Sequence, residues 1–357
     1  MTFEDLIAAP PSLGAEAKAA AILPQLNALA RHHYDNGEAY RRIADACWGG
    51  KVTAEHIEDA PFLPVGLFKE VELSSTSQAA MVLQSSGTTG QVPSRIVVDP
   101  ETADRQARAL VATFRPVLGE TRMPMLVIDS RKVISDPAML TARGAGVLGM
   151  MKFGGRPAFA LDDAMAPQPA VVREFVAKFG GKPFLIFGFT FLIWSQLYQA
   201  FADGELDLSN ATLIHSGGWK KMEADKVDND VFRAALARRF GLTRVYNFYG
   251  FVEQIGSIFL EGEPGWLHPP SFTDVIIRDP LTWAPLPPGE EGLIQVVSLL
   301  PRSYPGHNLL TEDLGVARIG ERGKAVRVLG RVPKAELRGC SDVIAAAQGA
   351  SQGAGPG

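Results

Sequence analysis

Six consecutive small residues, Ser85, Ser86, Gly87, Thr88, Thr89 and Gly90, separate two apolar runs in "LQSSGTTGQVPSRIVVD" (83–99). A two-residue turn such as Asn-Gly suffices for an ordinary hairpin, so a longer hydroxyl-rich loop asks for another reason. Four hydroxyl donors and unhindered backbone N–H groups suit the wrapping of an anion. Hydrogen bonds to a charged group contribute about 1.5–3 kcal/mol each, which makes such a loop an effective grip on a polyphosphate. No Gly-Lys-Ser/Thr follows, so this is not a Walker loop. By composition alone, a flexible surface connection accounts for the loop more often than a binding site does.

The elements that must position this loop alternate along the chain. Periodic Ala-rich segments at 14–31 and 37–48 predict helices. They give way at "PFLPVGLFKEVELSS", where Pro61 and Pro64 break the pattern and an extended run is expected. Beyond the loop, "MPMLVID" (123–129), "ATLIHSGG" (211–218) and "TRVYNFYG" (243–250) read as strands. "PAVVREFVAKFG" (169–180) and "NDVFRAALARRFG" (229–241) read as helices, the second with Gly241 as its C-cap. This alternation predicts an α/β fold with parallel strands. After residue 255 the pattern changes to short β-type runs, "IGSIFLE", "DVIIRDP", "GLIQVVSLL", "GVARIG" and "KAVRVLG", which predict a smaller antiparallel or barrel-like subdomain. The last residues, "AAAQGASQGAGPG", are poor in bulky apolar side chains and predict a disordered tail.

Bulk composition narrows the classes further. The 357 residues are 46% hydrophobic and 21% charged, enough for a sizeable core. A formal net charge of −4 gives no electrostatic reason to expect nucleic acid or an anionic membrane as a partner. The longest strongly apolar stretch, "PFLIFGFTFLIW" (183–194), is shorter than the roughly 20 residues a membrane helix needs, so it predicts a buried strand leading into a helix. No membrane insertion is expected. The opening "MTFEDLIAAPPSLG" carries acidic residues where a signal peptide has basic ones. With only Cys47 and Cys340 present, a disulfide framework is not expected and a cytoplasmic location is. Cys47 falls on one helical face with Tyr40 and Ile43, which predicts a core position.

Four ordered stretches carry a family resemblance. The loop resembles the "SGTTG" phosphate-binding signature of the adenylate-forming enzymes. "HSGGW" (215–219) resembles their Gly-Gly turn against the adenine, and "YGFVE" (249–253) their Tyr-Gly-x-Thr-Glu. "TEDLG" (311–315) with "LGRV" (329–332) resembles their ribose-binding Thr-Gly-Asp-Leu-Gly and the Gly-Arg that follows. Within that superfamily, "PFLPVGLFKEVEL", the loop, "SGGWK", "YGFVEQ" and "LRGCS" (337–341) are similar to the acyl-protein synthetases, also called long-chain-fatty-acid–luciferin-component ligases. The phenylacetate-CoA ligase branch shares some of these features but normally retains a C-terminal lid.

The resemblance implies ATP and Mg²⁺ as cofactors and assigns roles. Ser85, Ser86, Gly87, Thr88, Thr89 and Gly90 would hold the phosphates, Gly217 and Gly218 with Tyr249 the adenine, Gly250 would belong to the same ATP site, Asp313 would hold the ribose, and Arg331 the ribose or a phosphate. A flat ring at a strand end suits stacking on a purine, although an aromatic there is commonly core. Glu253 would hold Mg²⁺, which prefers one or two carboxylates plus phosphate oxygens, although such a Glu is commonly a solvated charge. For Asp313 the plain alternative is a turn-stabilising role; for Arg331, placed before Pro333 in a constrained turn, it is a surface charge.

The departures are specific. The loop runs Gln91-Val92-Pro93-Ser94-Arg95 where the superfamily has Pro-Lys, so Arg95 would supply the charge with a different donor geometry. Val252 replaces the Thr of the Tyr motif. The sequence left after "GRV" is too short for the lid, so the lid is expected to be absent or vestigial. The implied organisation is an adenylation domain over 1–330, with a helical N-terminal region over 1–75, an α/β core over 76–255 and a β-rich subdomain over 256–330. A short segment, 331–357, follows with Cys340.

The resemblance makes Cys340, beside Gly339 and near Arg338, the acyl acceptor; a neighbouring cation raises a thiol's thiolate fraction. The implied reaction activates a fatty or other carboxylic acid as acyl-AMP, transfers the acyl group to Cys340, and delivers it to a reductase or carrier protein. The rivals are a ligase with coenzyme A or a carrier as direct acceptor, and a non-catalytic acyl- or adenylate-binding protein. His215 and His307 stand near these motifs but are more safely structural, and the Phe-rich segment 184–191 is more simply core than an acyl channel.

Overall fold

The computed structural model describes residues 1–9, 13–84, 93–135, 142–218 and 227–332. The chain divides into two compact units. One comprises the described residues of Met1–Val82, Gly87–Gln106 and Pro269–Gly357, the other those of Leu83–Ser86 and Ala107–His268.

In the second unit, seven strands lie in the order Leu267–His268, Phe259–Glu261, Arg244–Tyr249, Ala211–Ser216, Phe184–Phe189, Met123–Ser130 and Gly154–Leu161. The last five pair in parallel, and the first two continue the sheet antiparallel. Alternate residues of each strand enter opposite cores. Leu126, Ile128, Ile186 and Leu213 pack on one face with Val172 and Phe175 of the Pro169–Phe179 helix and Phe232 and Leu236 of the Asn229–Phe240 helix. Met125, Val127, Leu185, Phe187 and Ile214 pack on the other with Phe114 and Val147. Both faces are covered, which is why these strands read as nearly continuous apolar runs. Gly241 ends the Asn229–Phe240 helix in the left-handed region, and Asp228 caps its start by accepting from the Val231 N–H at 2.8 Å.

The first unit is built on four antiparallel strands in the order Thr273–Arg278, Glu291–Ser298, Asn308–Gly320 and Gly323–Arg331. Leu63–Pro64 joins Asn308–Gly320 in parallel, with Leu63 opposite Leu309. The helices Phe3–Ala8, Ala15–Asn36 and Glu38–Trp48 belong to this unit. Lys18 is buried and donates to the Pro269 carbonyl at 2.8 Å; burial lowers its pKa to about 8.

Several expectations need correction. Cys47 is exposed, not core: it shares the Tyr40 face of its helix by angle, but it lies in the last turn, one residue before the end at Trp48 and past Ala44, the last buried residue of that stripe. The extended run expected after Pro61 is only two residues long, because Val65–Lys69 winds into a 3₁₀ turn. "TEDLG" and "GVARIG" belong to a single 13-residue strand, Asn308–Gly320. Arg331 ends a strand and not a turn. The helix Pro100–Leu118 went unrecognised in the sequence, although Asp99, which accepts from the Thr102 N–H at 2.7 Å, and Pro100 in its first turn are start signals.

Candidate nucleotide-binding site

In the second unit, two of the sequence motifs lie at the carboxyl ends of neighbouring parallel strands, the location where open α/β sheets bind ligands. Ala211–Ser216 runs into Gly217 and Gly218, and Arg244–Tyr249 into Gly250. The strands are in register at Ser216 and Phe248, and the Ser216 hydroxyl donates to the Phe248 carbonyl at 2.8 Å. This bond ties the Gly-Gly turn to the residue before Tyr249. Gly217 has φ +84°, and a Cβ there would stand 3.3 Å from Phe189 Cδ1, so its backbone requires glycine. Among the described residues, a Cβ at Gly218 would meet nothing within 4 Å.

Tyr249 is half-buried, its ring 6.0 Å from Phe251 and 6.1 Å from Phe259. After Gly250 and the extended Phe251, Val252–Gln254 forms a 3₁₀ turn whose three side chains are buried. Glu253 is only 6% exposed, so it is not the solvated charge that an isolated Glu usually is. Among the described residues no cluster of three or more His, Cys, Asp or Glu side chains forms a metal cage. A single buried carboxylate is nonetheless the donor that suits Mg²⁺ held mainly through substrate phosphates.

His215 is buried, with its Nδ1 3.0 Å from Thr190 Oγ1 and its ring 4.9 Å from that of Phe232. Burial lowers its pKa to about 3, with a smaller contribution from Arg233. Glu261 organises the surrounding elements. Its carboxylate accepts from Asn229 Nδ2 at 2.8 Å, the Asn247 N–H at 2.9 Å and the Gly265 N–H at 2.6 Å, and pairs with Arg233 at 3.2 Å. No sequence motif marked this residue.

In the first unit, the structure brings Asp313 and Arg331 together. They are opposite in the Asn308–Gly320/Gly323–Arg331 hairpin, with Arg331 Nε 3.2 Å from Asp313 Oδ1. The Thr311 hydroxyl donates to the Ile294 carbonyl at 2.7 Å and lies 3.2 Å from the Asp313 N–H, fixing the strand at this point. Gly315 is dictated by packing: a Cβ would come within 2.7 Å of Ile294 Cδ1 and 2.8 Å of the Arg327 carbonyl. Arg95 lies at the start of Arg95–Val98 and pairs with Glu72 at 3.4 Å, both well exposed. His307 is buried and stacked on His33 at 4.8 Å. Phe184 and Phe187 are fully buried core residues. The loop Ser85, Ser86, Gly87, Thr88, Thr89 and Gly90, with Trp219, Lys220 and Cys340, lies outside the described residues.

The fold is that of the adenylate-forming ligases. It is similar to 2-hydroxyisobutyryl-CoA ligase in an open conformation with 2-HIB-AMP and CoA, with a TM-score of 0.65 and 16% identity over 90% of this chain and 72% of that one. The same ligase with 2-HIB-AMP in its postadenylation state gives 0.64 and 17%, over 90% and 69%. Curated relatives are the long-chain-fatty-acid–luciferin-component ligases of Vibrio harveyi, 25% identical over 340 residues, and Aliivibrio fischeri, 23% over 326. Each alignment covers 87% of this chain and 84% of the relative. The family model described as acyl-protein synthetase, LuxE, matches residues 3–348, and the chain belongs to that family. It is therefore a ligase. Among the described residues, no helix is long and apolar enough to cross a membrane.

Proposed function

We propose that the protein activates a fatty acid with ATP as acyl-AMP and then carries the acyl group on Cys340 as a thioester for delivery to a reductase or carrier protein. The observation that carries the reading is the pairing of the Ser216–Gly218 turn with Tyr249 and the buried Glu253 at adjacent strand ends, in a chain of this family. The names of the relatives support a fatty acid as substrate and a protein component as destination.

In the first half-reaction, a carboxylate oxygen attacks the α-phosphorus; a new P–O bond forms as the bond to pyrophosphate breaks. Positioning and charge neutralisation supply most of the acceleration for such a transfer. The 85–90 loop and Arg95 hold the phosphates. Gly217, Gly218, Tyr249 and Gly250 hold the adenine, and Asp313 with Arg331 the ribose. Glu253, together with the phosphates, would hold Mg²⁺, which when bound would supply further neutralisation. In the second half-reaction, the deprotonated Cys340 sulfur attacks the acyl carbon, a C–S bond forms, and AMP leaves with the C–O electron pair. The test is ATP–pyrophosphate exchange with fatty acids of graded length, with protein acylation followed by mass. Exchange together with a covalent acyl adduct supports the reading. Exchange with acyl transfer only to added coenzyme A or carrier protein would instead assign an external acceptor.

A further inference from the structure

The entry to the Gly217–Gly218 turn is set by side chains to which the reaction above gives no role. His215 shares the face of Leu213 on its strand, and its Nδ1 is 3.0 Å from Thr190 Oγ1. The same hydroxyl donates to the Ser216 carbonyl at 3.2 Å. A carbonyl can only accept, and a hydroxyl has one proton. With that proton on the Ser216 carbonyl, His215 must donate from Nδ1 to Thr190. Its Nε2 is then a bare acceptor, buried and without a hydrogen-bond partner among the described residues. An orphan of this kind is costly, and native structures keep few of them without a reason. An apolar pair at 190 and 215 would fill the same core without that cost. What the polar pair adds is a fixed peptide plane. The Thr190 hydroxyl holds the Ser216 carbonyl, the Ser216 hydroxyl holds the Phe248 carbonyl, and Gly217 turns immediately afterwards.

We infer that His215 and Thr190 are positioning residues for the nucleotide: the imidazole N–H orients the Thr190 hydroxyl, which sets the Ser216–Gly217 peptide that faces the adenine. The inference rests on the adenylation reading, so binding and turnover are measured separately. In the full-length chain, Thr190→Val is expected to weaken ATP binding about tenfold by calorimetry, while kcat for pyrophosphate exchange at saturating ATP stays within about threefold. Thr190→Ser, which restores the hydroxyl, is expected to bind within about twofold of the parent. Thermal midpoints should agree within a few degrees. In ¹⁵N-labelled protein, His215 is expected to carry its proton on Nδ1 from about pH 5 to 8.

Unchanged ATP affinity in Thr190→Val, failure of Thr190→Ser to restore it, or a proton on Nε2 would overturn the positioning role. A parent protein that binds ATP and shows the tenfold difference, but exchanges no pyrophosphate with any acid, would leave positioning intact and defeat the adenylation reading. A parent that binds no ATP defeats both.

Discussion

Glu253, Cys340 and Arg95 are the side chains on which the proposed chemistry divides. Glu253 is buried on the turn directly after the Tyr249 strand, so replacing its charge while keeping its shape isolates its electrostatic role. Glu253→Gln is expected to lower ATP–pyrophosphate exchange by about 10²-fold or more. Cys340→Ser is expected to leave exchange within about twofold and to abolish covalent acylation, because its sulfur enters only after adenylation. Equal loss of exchange in both variants would remove the division. Arg95 makes an exposed pair with Glu72, and such pairs contribute about 0–1 kcal/mol. If Arg95 replaces the loop lysine, Arg95→Ala should depress exchange while leaving the unfolding midpoint nearly unchanged; a parallel fall in both would make the arginine structural. The residue types in "YGFVE" and "SGGW" were legible in the sequence. The burial of Glu253 was not, since it comes from packing of the whole 252–254 turn.

Elements in the second unit are held in place by one carboxylate. Glu261 joins the start of the Asn229–Phe240 helix, the strand leading to Tyr249 and the turn at Gly265 through four polar contacts. Glu261→Gln leaves Arg233 facing a neutral amide and an N–H donor against an NH₂ group. Breaking a buried pair of this kind costs about 3–5 kcal/mol, which urea denaturation should show as a lower midpoint; a loss under about 1 kcal/mol would contradict this role. The strand "IGSIFLE" was recognisable from its apolar run, but its terminal Glu was not marked as an anchor. Its partners stand 32, 28, 14 and 4 residues away in sequence, and only the folded chain gathers them. The Ala211–Ser216 strand, an apolar run buried along its whole length, and the Asn229–Phe240 helix, closed by its Gly241 cap, were legible almost to the residue. Periodicity places Cys47 on the face of Tyr40 and Ala44 but does not show where along the helix that face stops being covered, and Cys47 lies past the last buried residue, in the final turn.

Across the molecule, three histidines are buried neutral: His33 and His307 in the first unit and His215 in the second. Burial pushes His307 and His215 down to about 3 and His33 well below its ordinary value. An unfolded histidine takes up a proton near pH 6.5. Between that pH and about 3 the unfolded chain therefore holds more protons, and stability falls as the pH is lowered, by about 1.4 kcal/mol per pH unit for each histidine. His307→Phe should make the stability–pH curve shallower by one histidine's share; an unchanged slope would contradict its neutral burial. Neither of its ring nitrogens has a hydrogen-bond partner among the described residues. The alternating α/β pattern of the middle of the chain was plain in the sequence. The antiparallel unit was less so, because it is closed by contacts between distant segments, such as Leu63 beside Leu309 and Lys18 on Pro269. The most direct test of the proposed activity is the intact mass of the purified protein after incubation with ATP, Mg²⁺ and fatty acids of varied length. A mass increase of one acyl group, absent in Cys340→Ser, is expected. An unmodified mass in the parent, or an adduct that persists in Cys340→Ser, would contradict the proposed activity.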